Sequence, residues 1–220
     1  MNARRLTFAV LCSAAMLTAL GGCAKKGDLV VDSGIGITAV RSRCPAVGIP
    51  DYTGDVTLFR GGADHTAPNI DVVAAMTNVR SQCNEEAADK VFAKVDFDVL
   101  ARRNDTSGAR QVTLPYFVTV LQGGTAVVSK RVGNVTLDFP DGQARAQAHA
   151  TGTAYIDRAA ATLPDAIRER ITRKREAGDT DAALDPLADP EVKAAVARAS
   201  FEVLVGFQLD DNQLAYNARR

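Results

Sequence analysis

The sequence lacks the short motifs that mark the common catalytic and nucleotide-binding sites. It has no GxSxG nucleophile elbow, no HExxH zinc motif, no CxxC pair and no GxGxxG or phosphate-binding loop. Only two of its 220 residues are histidine, so general bases of that type are few. We therefore expect a protein that is not an enzyme, with no catalytic residues, no cofactor and no metal.

Long apolar runs are also absent, apart from one at the amino terminus. Two arginines precede an apolar stretch from Leu6 to Leu20, and two glycines follow it. A positive end, an apolar centre and then small residues form the layout of a secretory signal peptide. The stretch holds about 15 residues, fewer than the roughly 20 that a membrane-spanning helix needs. Residues 1–22 are therefore predicted to be a signal peptide.

The residues that close this stretch carry a resemblance to a known class. Leu20-Gly21-Gly22-Cys23 resembles the lipobox of bacterial lipoproteins, in which a Leu and two small residues precede a lipid-modified Cys. The resemblance implies cleavage before Cys23 and its acylation with several chains, which anchor a protein stably to a membrane. It also implies the periplasmic face of the outer membrane, because Ala24 stands where inner-membrane lipoproteins usually carry Asp. Ordinary cleavage after Ala24 and an uncleaved anchor are the alternatives.

An excess of one charge sign is absent as well. The chain has 26 basic and 26 acidic residues, and loss of the two signal-peptide arginines leaves 24 against 26. A balanced chain without a basic stripe argues against nucleic acid as a partner. The expected partners are the membrane, reached through the lipid, and a protein of the envelope. Residues 23–33 are interpreted as a polar, lipid-anchored tether between the membrane and the folded domain.

Cysteines are scarce, and their positions are informative. Cys12 leaves with the signal peptide and Cys23 would carry lipid, so Cys44 and Cys83 remain as a pair. An even pair in an oxidising compartment predicts a disulfide bond. This bond would close a loop of about 40 residues, which the chain-entropy model values at about 4 kcal/mol. A metal-binding or redox dithiol is the alternative, although no nearby His supports it.

From residue 34 to residue 157 the apolar residues recur with a period of two, which indicates strands. In the clearest segment, Val91–Val99, apolar residues alternate with lysines and aspartates. Asp96 and Asp98 are interpreted as part of a solvated charged face rather than as a catalytic pair. Pro115 is expected to mark an edge strand or a bulge. Regularly spaced strands with short turns predict a mainly β, antiparallel, sandwich-like domain.

One strand of this region has a face made almost wholly of alanine. Every second residue from Ala144 to Ala154 is Ala, except for Gly152. So small a face allows another layer to approach closely, and core packing is the favoured interpretation. The floor of a ligand groove is the alternative, although no convergent polar groups accompany it.

The period then changes to that of a helix. Residues 158–199 are predicted to form a two-helix insertion, the first helix opening near Pro164 with an apolar stripe on one side. Alternation returns in residues 200–210, which are predicted to be the final strand of the same domain. Residues 211–220 are predicted to be a mobile tail.

The first helix of the insertion is strongly basic. Its basic residues are Arg168, Arg170, Arg173, Lys174 and Arg175. The favoured interpretation is a solvated face whose charge is balanced by the acidic stretch that follows. The alternative is a partner surface for anionic head groups or an acidic protein.

The two histidines are the remaining candidates for chemistry. His65 lies in a loop beside Asp64, and His149 lies on the polar side of the alanine-faced strand. A metal site of Asp64, His65 and Asp71 is a weaker alternative to a solvated loop histidine. A hydrolase that uses either histidine as its base is a functional hypothesis ranked below the two binding functions described next.

These observations favour a non-catalytic, membrane-anchored envelope lipoprotein that acts as a binding or assembly accessory of an envelope complex. The alternative is a periplasmic small-ligand-binding module, whose pocket would lie between the alanine-faced strand and the helical insertion.

Overall fold

A computed structural model describes residues 42–61, 65–86, 89–173, 175, 178–180 and 184–220. The predicted signal peptide, the predicted lipidation site Cys23, the predicted tether and the first part of the predicted strand region lie outside these residues. Asp64 and Lys174 lie outside them too. The predictions on those positions therefore remain predictions.

Two four-stranded sheets account for the strands of the described residues. The strands are β1 Ala46–Gly48, β2 Asp55–Phe59, β3 Ile70–Asn84, β4 Lys90–Arg103, β5 Arg110–Gln122, β6 Ala126–Phe139, β7 Arg145–Asp157 and β8 Phe201–Phe207. One sheet has the order β1-β8-β5-β6 and the other has the order β2-β3-β4-β7. Neighbouring strands are antiparallel, except that β1 pairs with β8 in parallel. The predicted class, mainly β and sandwich-like, is confirmed.

Alternation along β4 explains where the core lies. β4 pairs with β3 on one side and with β7 on the other. Val91, Val95, Phe97 and Val99 are fully buried, since every second residue of the strand faces the opposite sheet. Burying one such side chain stabilises a fold by roughly 1.5–3 kcal/mol, so this alternation contributes strongly to folding.

The alanine face of β7 packs against that core, as the packing interpretation predicted. At Gly152 the approach is close, because an added Cβ would lie 2.4 Å from Cγ2 of Val118 in β5. Nearby, the Tyr116 hydroxyl of β5 donates a hydrogen bond to the Thr151 carbonyl at 3.0 Å. Small side chains on β7 therefore let the two sheets come together at this end of the sandwich.

Pro115 does not mark an edge strand or a bulge, because β5 lies between β8 and β6. Pairing with β8 begins only at Tyr116, opposite Phe207, and the carbonyl of Pro115 accepts a hydrogen bond from Gln208 N. The N–H and C=O of a strand residue point to the same side. The missing N–H of Pro115 therefore faces the end of β8, where strand pairing has ceased.

The predicted helical insertion separates β7 from β8. It contains α1 Asp165–Thr172, a 3-10 turn at Pro186–Ala188 and α2 Pro190–Ala199. The apolar stripe of α1 is buried, and Ile167 and Ile171 pack with Val192 and Ala195 of α2. The insertion therefore has a small core of its own, and β8 returns to a position between β1 and β5.

The carboxyl-terminal residues differ from the predicted tail, because they form helix α3, Asp211–Asn217. A capping box begins this helix: the Asp210 carboxylate accepts from Gln213 N, and the Gln213 side chain accepts from Asp210 N. The buried Asn217 amide donates to the carbonyls of Tyr52 and Asp55, at 2.8 Å each. These bonds attach the end of the chain to β2 and to the turn before it.

Among the described strands, β6 lies at one edge of its sheet. Val127, Val128 and Val132 are exposed there. Lys130 and Arg131 interrupt these valines, and charged residues of this kind oppose edge-to-edge association of sheets.

Candidate functional site

A cavity of about 490 Å³ lies among the segment before β1, the turn after β7, helices α1 and α2, and the start of β8. Its apolar wall consists of Ala161, Leu163, Ile171, Val196, Ala199 and Phe201. The charged groups at its rim are Arg43, Glu85, Arg168 and Glu202. Cavities of this size with apolar walls and a few polar groups are typical of binding sites.

One wall of the cavity is fixed by the predicted disulfide bond, which is present between Cys44 and Cys83 with a Cα–Cα distance of 5.9 Å. Two residues beyond Cys83, the Glu85 carboxylate accepts hydrogen bonds from Ser42 Oγ at 2.5 Å and from Arg43 N at 3.1 Å. The pKa of Glu85 is lowered, chiefly by the bond from Ser42. The disulfide and this carboxylate together hold the segment that leads into β1.

Arg43 joins this wall to the helical insertion. Its Nε donates to Thr162 Oγ1 at 2.9 Å, and the Thr162 hydroxyl donates to the Arg158 carbonyl at 2.6 Å. The Nη1 atom of Arg43 lies 3.7 Å from Glu85 Oε2. The positive charge of Arg43 is therefore compensated within the rim.

The other two rim charges differ in their surroundings. Arg168 forms an ion pair with Asp165, one turn earlier in α1, at 2.6 Å. Glu202 follows Phe201 in β8 and is half-buried. Within the described part of the chain, the Glu202 carboxylate has no hydrogen bond or ion pair. It is thus the rim charge that is left for a ligand.

Not all the basic residues predicted for the first insertion helix lie in it, because α1 ends at Thr172 and Arg173 and Arg175 follow that end. Those that the structure describes are largely engaged with neighbours. Arg170 forms ion pairs with Glu191 at 2.7 Å and with Asp189. These contacts raise the pKa of Arg170, with the hydrogen bond to Glu191 the main cause. Arg173 also interacts with a neighbour. Arg175 donates a hydrogen bond to the Arg170 carbonyl at 3.3 Å.

The acidic partners of Arg170 come from the second part of the insertion, as the balanced-face interpretation expected. An open groove of about 990 Å³ runs beside these ion pairs. Docking of a partner on the basic helix remains a prediction.

His149 lies on the outer face of the second sheet, opposite Asp98 of β4. Its Nδ1 is 3.1 Å from Asp98 Oδ1, and its ring is more than half exposed. Asn78, in an irregular part of β3, donates to the other oxygen of Asp98 at 2.6 Å. The pKa of Asp98 is lowered by the hydrogen bond from Asn78 and then by that from His149. His149 therefore has an exposed, cross-strand role on this face.

Asp96, the next acidic residue on the same face, is less exposed than the predicted solvated face implies. Its exposure is 8%, because Lys94 and Thr151 lie against it. Thr151 Oγ1 donates to Oδ1 at 2.7 Å, and Lys94 Nζ lies 2.9 Å from Oδ2. The pKa of Asp96 is lowered, first by Thr151. The carboxylate is therefore held by its neighbours.

His65 lies near β2 and α3. Its ring centroid is 4.7 Å from that of Phe59 and 5.9 Å from that of Tyr216. Asp71, which the metal alternative required, instead forms a bidentate pair with Arg110. Within the described ranges, no group of three or more His, Cys, Asp or Glu residues is placed to hold a metal ion.

Arg103, the most buried charged residue in the described ranges, is 2% exposed and is not among the residues that the sequence singled out. Its guanidinium donates to the backbone carbonyls of Gln143, Gly108, Thr106 and Pro140. The sequence contained a signal for this burial, because Arg103 belongs to the series of every second residue of β4 that faces the core. The Arg103 side chain therefore joins the loop that follows β4 to the loop that follows β6.

No family model, curated protein or solved structure matches this chain. Across the residues that the structure covers, no helix has the length and the apolar character of a membrane span.

Proposed function

We propose that this chain is a non-catalytic binding accessory of a bacterial envelope complex, anchored to the membrane through lipid on Cys23. The cavity of about 490 Å³ beside the disulfide is the observation that carries the proposal. Its apolar wall and its unpaired carboxylate suit recognition of a partner, and the proposed address is the periplasmic face of the outer membrane.

The anchor and the cavity are linked through the chain itself. The cavity rim begins at Ser42, a short distance along the sequence from Cys23. A disulfide supports export to an oxidising compartment, where such bonds persist. The lipobox resemblance supports acylation, and several acyl chains give stable anchoring.

Binding is favoured over hydrolysis by the surroundings of the two histidines. In the described residues, neither ring is hydrogen-bonded to a Ser, Thr or Cys side chain, which a nucleophile and its base require. Neither ring lines the cavity.

A small-ligand-binding module is the second candidate, and the size of the cavity favours it. The site differs from the one that this alternative first suggested. The helical insertion contributes to the wall as expected, but the segment around Cys44 takes the place of the alanine-faced strand.

The test is quantitative co-purification of the full-length protein from detergent-solubilised native envelope. The variant Ala199→Phe fills the cavity from α2, and Ala194→Phe places the same ring on the exposed side of that helix. We expect Ala199→Phe to remove a partner that both the wild type and Ala194→Phe retain. Equal recovery from all three would contradict the cavity as the binding site.

Mass spectrometry of the same material tests the anchor separately. The expected result is a mature amino terminus at Cys23 with fatty-acyl groups. An unmodified amino terminus at another residue would contradict the lipid anchor. It would not affect the separate test of the cavity.

A further inference from the structure

We propose that the cavity receives a basic side chain, Lys or Arg, from the partner protein, with its charge paired to Glu202. This inference rests on the proposed function, because it names the chemistry by which the same cavity recognises its partner.

The charges around the cavity favour a cation. Arg43 is paired with Glu85 and bonded to Thr162, and Arg168 is paired with Asp165. Glu202 is the rim charge with no partner among the described residues. One negative charge at the cavity is therefore not compensated by a neighbouring cation. An incoming cation gains a charge-assisted hydrogen bond there, which is stronger than a neutral one.

An anionic ligand would face the opposite situation. It would compete with Glu85 for Arg43 or with Asp165 for Arg168, whose positive charges these carboxylates already compensate. It would also meet Glu202 as a like charge. Both effects oppose binding, so the arrangement discriminates by sign.

The apolar wall suits the stem of such a side chain. Lys and Arg carry three or four methylene groups before the charge, and these groups gain from contact with apolar surface while the charge stays polar. Ile171 and Phe201 are buried beneath the cavity and Leu163 is half-buried. A straight chain that ends in a cation therefore matches a wall of this kind with a carboxylate at its rim.

The weak affinity expected for a free amine indicates that the cation belongs to a partner protein. One hydrogen bond to a charged group improves binding by only about 10- to 100-fold, and this gain has to offset the entropy lost on association. A free amine in the cavity is therefore expected to bind weakly, in the millimolar range. Stable association requires contacts around the cavity as well, which a partner protein supplies.

The test titrates N-acetyl-lysine methylamide into the full-length, 15N-labelled protein in detergent micelles and follows the amide signals. We expect shifts at Ala199, Phe201 and Glu202 with a millimolar dissociation constant. The uncharged analogue N-acetyl-norleucine methylamide should cause no saturable shift. Glu202→Gln should weaken the lysine probe about tenfold or more. Glu169→Gln, an exposed position on α1 outside the cavity, should leave it unchanged.

Three results would overturn the inference. The first is the absence of shifts at the cavity with the lysine probe. The second is equal binding by folded Glu202→Gln, whose thermal unfolding is checked against the wild type. The third is micromolar binding of free pentylamine, which would make a small amine the ligand. If Ala199→Phe loses the partner while Glu202→Gln keeps it, the proposed function stands and this inference alone fails.

Discussion

Arg43 and Thr162 lie 119 residues apart in the sequence, yet Arg43 Nε donates to Thr162 Oγ1 at 2.9 Å. This bond joins the segment beside the disulfide to the turn that enters the helical insertion. The cavity lies between these two parts of the chain. Its shape therefore depends on long-range contacts.

Loss of the disulfide should destabilise the domain. The bond between Cys44 and Cys83 closes a loop with a sequence separation of 39, so its removal restores freedom to the unfolded chain. We expect the double variant Cys44→Ser, Cys83→Ser to lose about 2–4 kcal/mol in the free energy of unfolding, measured in urea. A reductant should destabilise the wild type and leave the double variant unaffected. Equal unfolding midpoints for the two proteins would contradict the prediction.

Replacement of Arg103 should be among the most costly changes in the domain. Arg103→Met removes the donors of four carbonyls and leaves them without these partners, at an expected cost of about 3 kcal/mol or more. Arg103→Lys keeps the charge but lacks the planar fork of donors, so an intermediate loss is expected.

The exposed neighbour Arg102 provides the control for these variants. Arg102→Met should change the free energy of unfolding by about 0.5 kcal/mol or less. If Arg103→Met behaved like Arg102→Met in urea unfolding, the role assigned to the buried guanidinium would be wrong.

The close approach of the two sheets at Gly152 predicts a coupled pair of substitutions. Gly152→Ala places a methyl group against Val118 and should cost about 1–3 kcal/mol through overpacking. Val118→Ala should relieve that clash, so the double variant should be more stable than the sum of the single losses implies. The measurement is a double-mutant cycle in urea. Simple additivity would argue against contact between these residues.

The pair of Asp71 and Arg110 predicts a pH dependence of stability. Arg110 donates to both carboxylate oxygens at 2.8 and 2.7 Å, and this hydrogen bonding is the main reason that the pKa of Asp71 lies below its usual 3.8. The contribution is therefore present at neutral pH and is lost as the pH falls below about 4 through the folded-state pKa.

The variant Asp71→Asn tests this dependence. It should lose about 1 kcal/mol at pH 7, since Arg110 is partly exposed. The difference from the wild type should shrink at pH 3 and below, because protonation then removes the charge of Asp71 as well. A difference that stays constant between pH 7 and pH 3 would contradict the assignment.

Local patterns predicted the parts of the fold that local chemistry determines. Strict alternation identified β4, the apolar stripe of Ile167 and Ile171 identified the buried side of α1, and the count of cysteines identified the pair Cys44 and Cys83. In each case the signal lies within a few residues or follows from the redox compartment.

Features that depend on distant contacts were not predicted. The parallel pairing of β1 with β8 joins residues near positions 46 and 202, and no local pattern indicates it. The cavity likewise combines four separate parts of the chain. By contrast, the capping box of Asp210 and Gln213 was a local signal for α3 and was available in the sequence.

The most direct measurement is photo-crosslinking in the native envelope, with a benzophenone amino acid at the exposed position 200 beside the cavity and, as the control, at position 194. We expect position 200 to crosslink to one partner protein, next to a Lys or Arg of that partner, and position 194 to give no such crosslink. Glu202→Gln should reduce the yield at position 200. Equal crosslinking at both positions, or no protein crosslink at position 200, would contradict the proposed binding site.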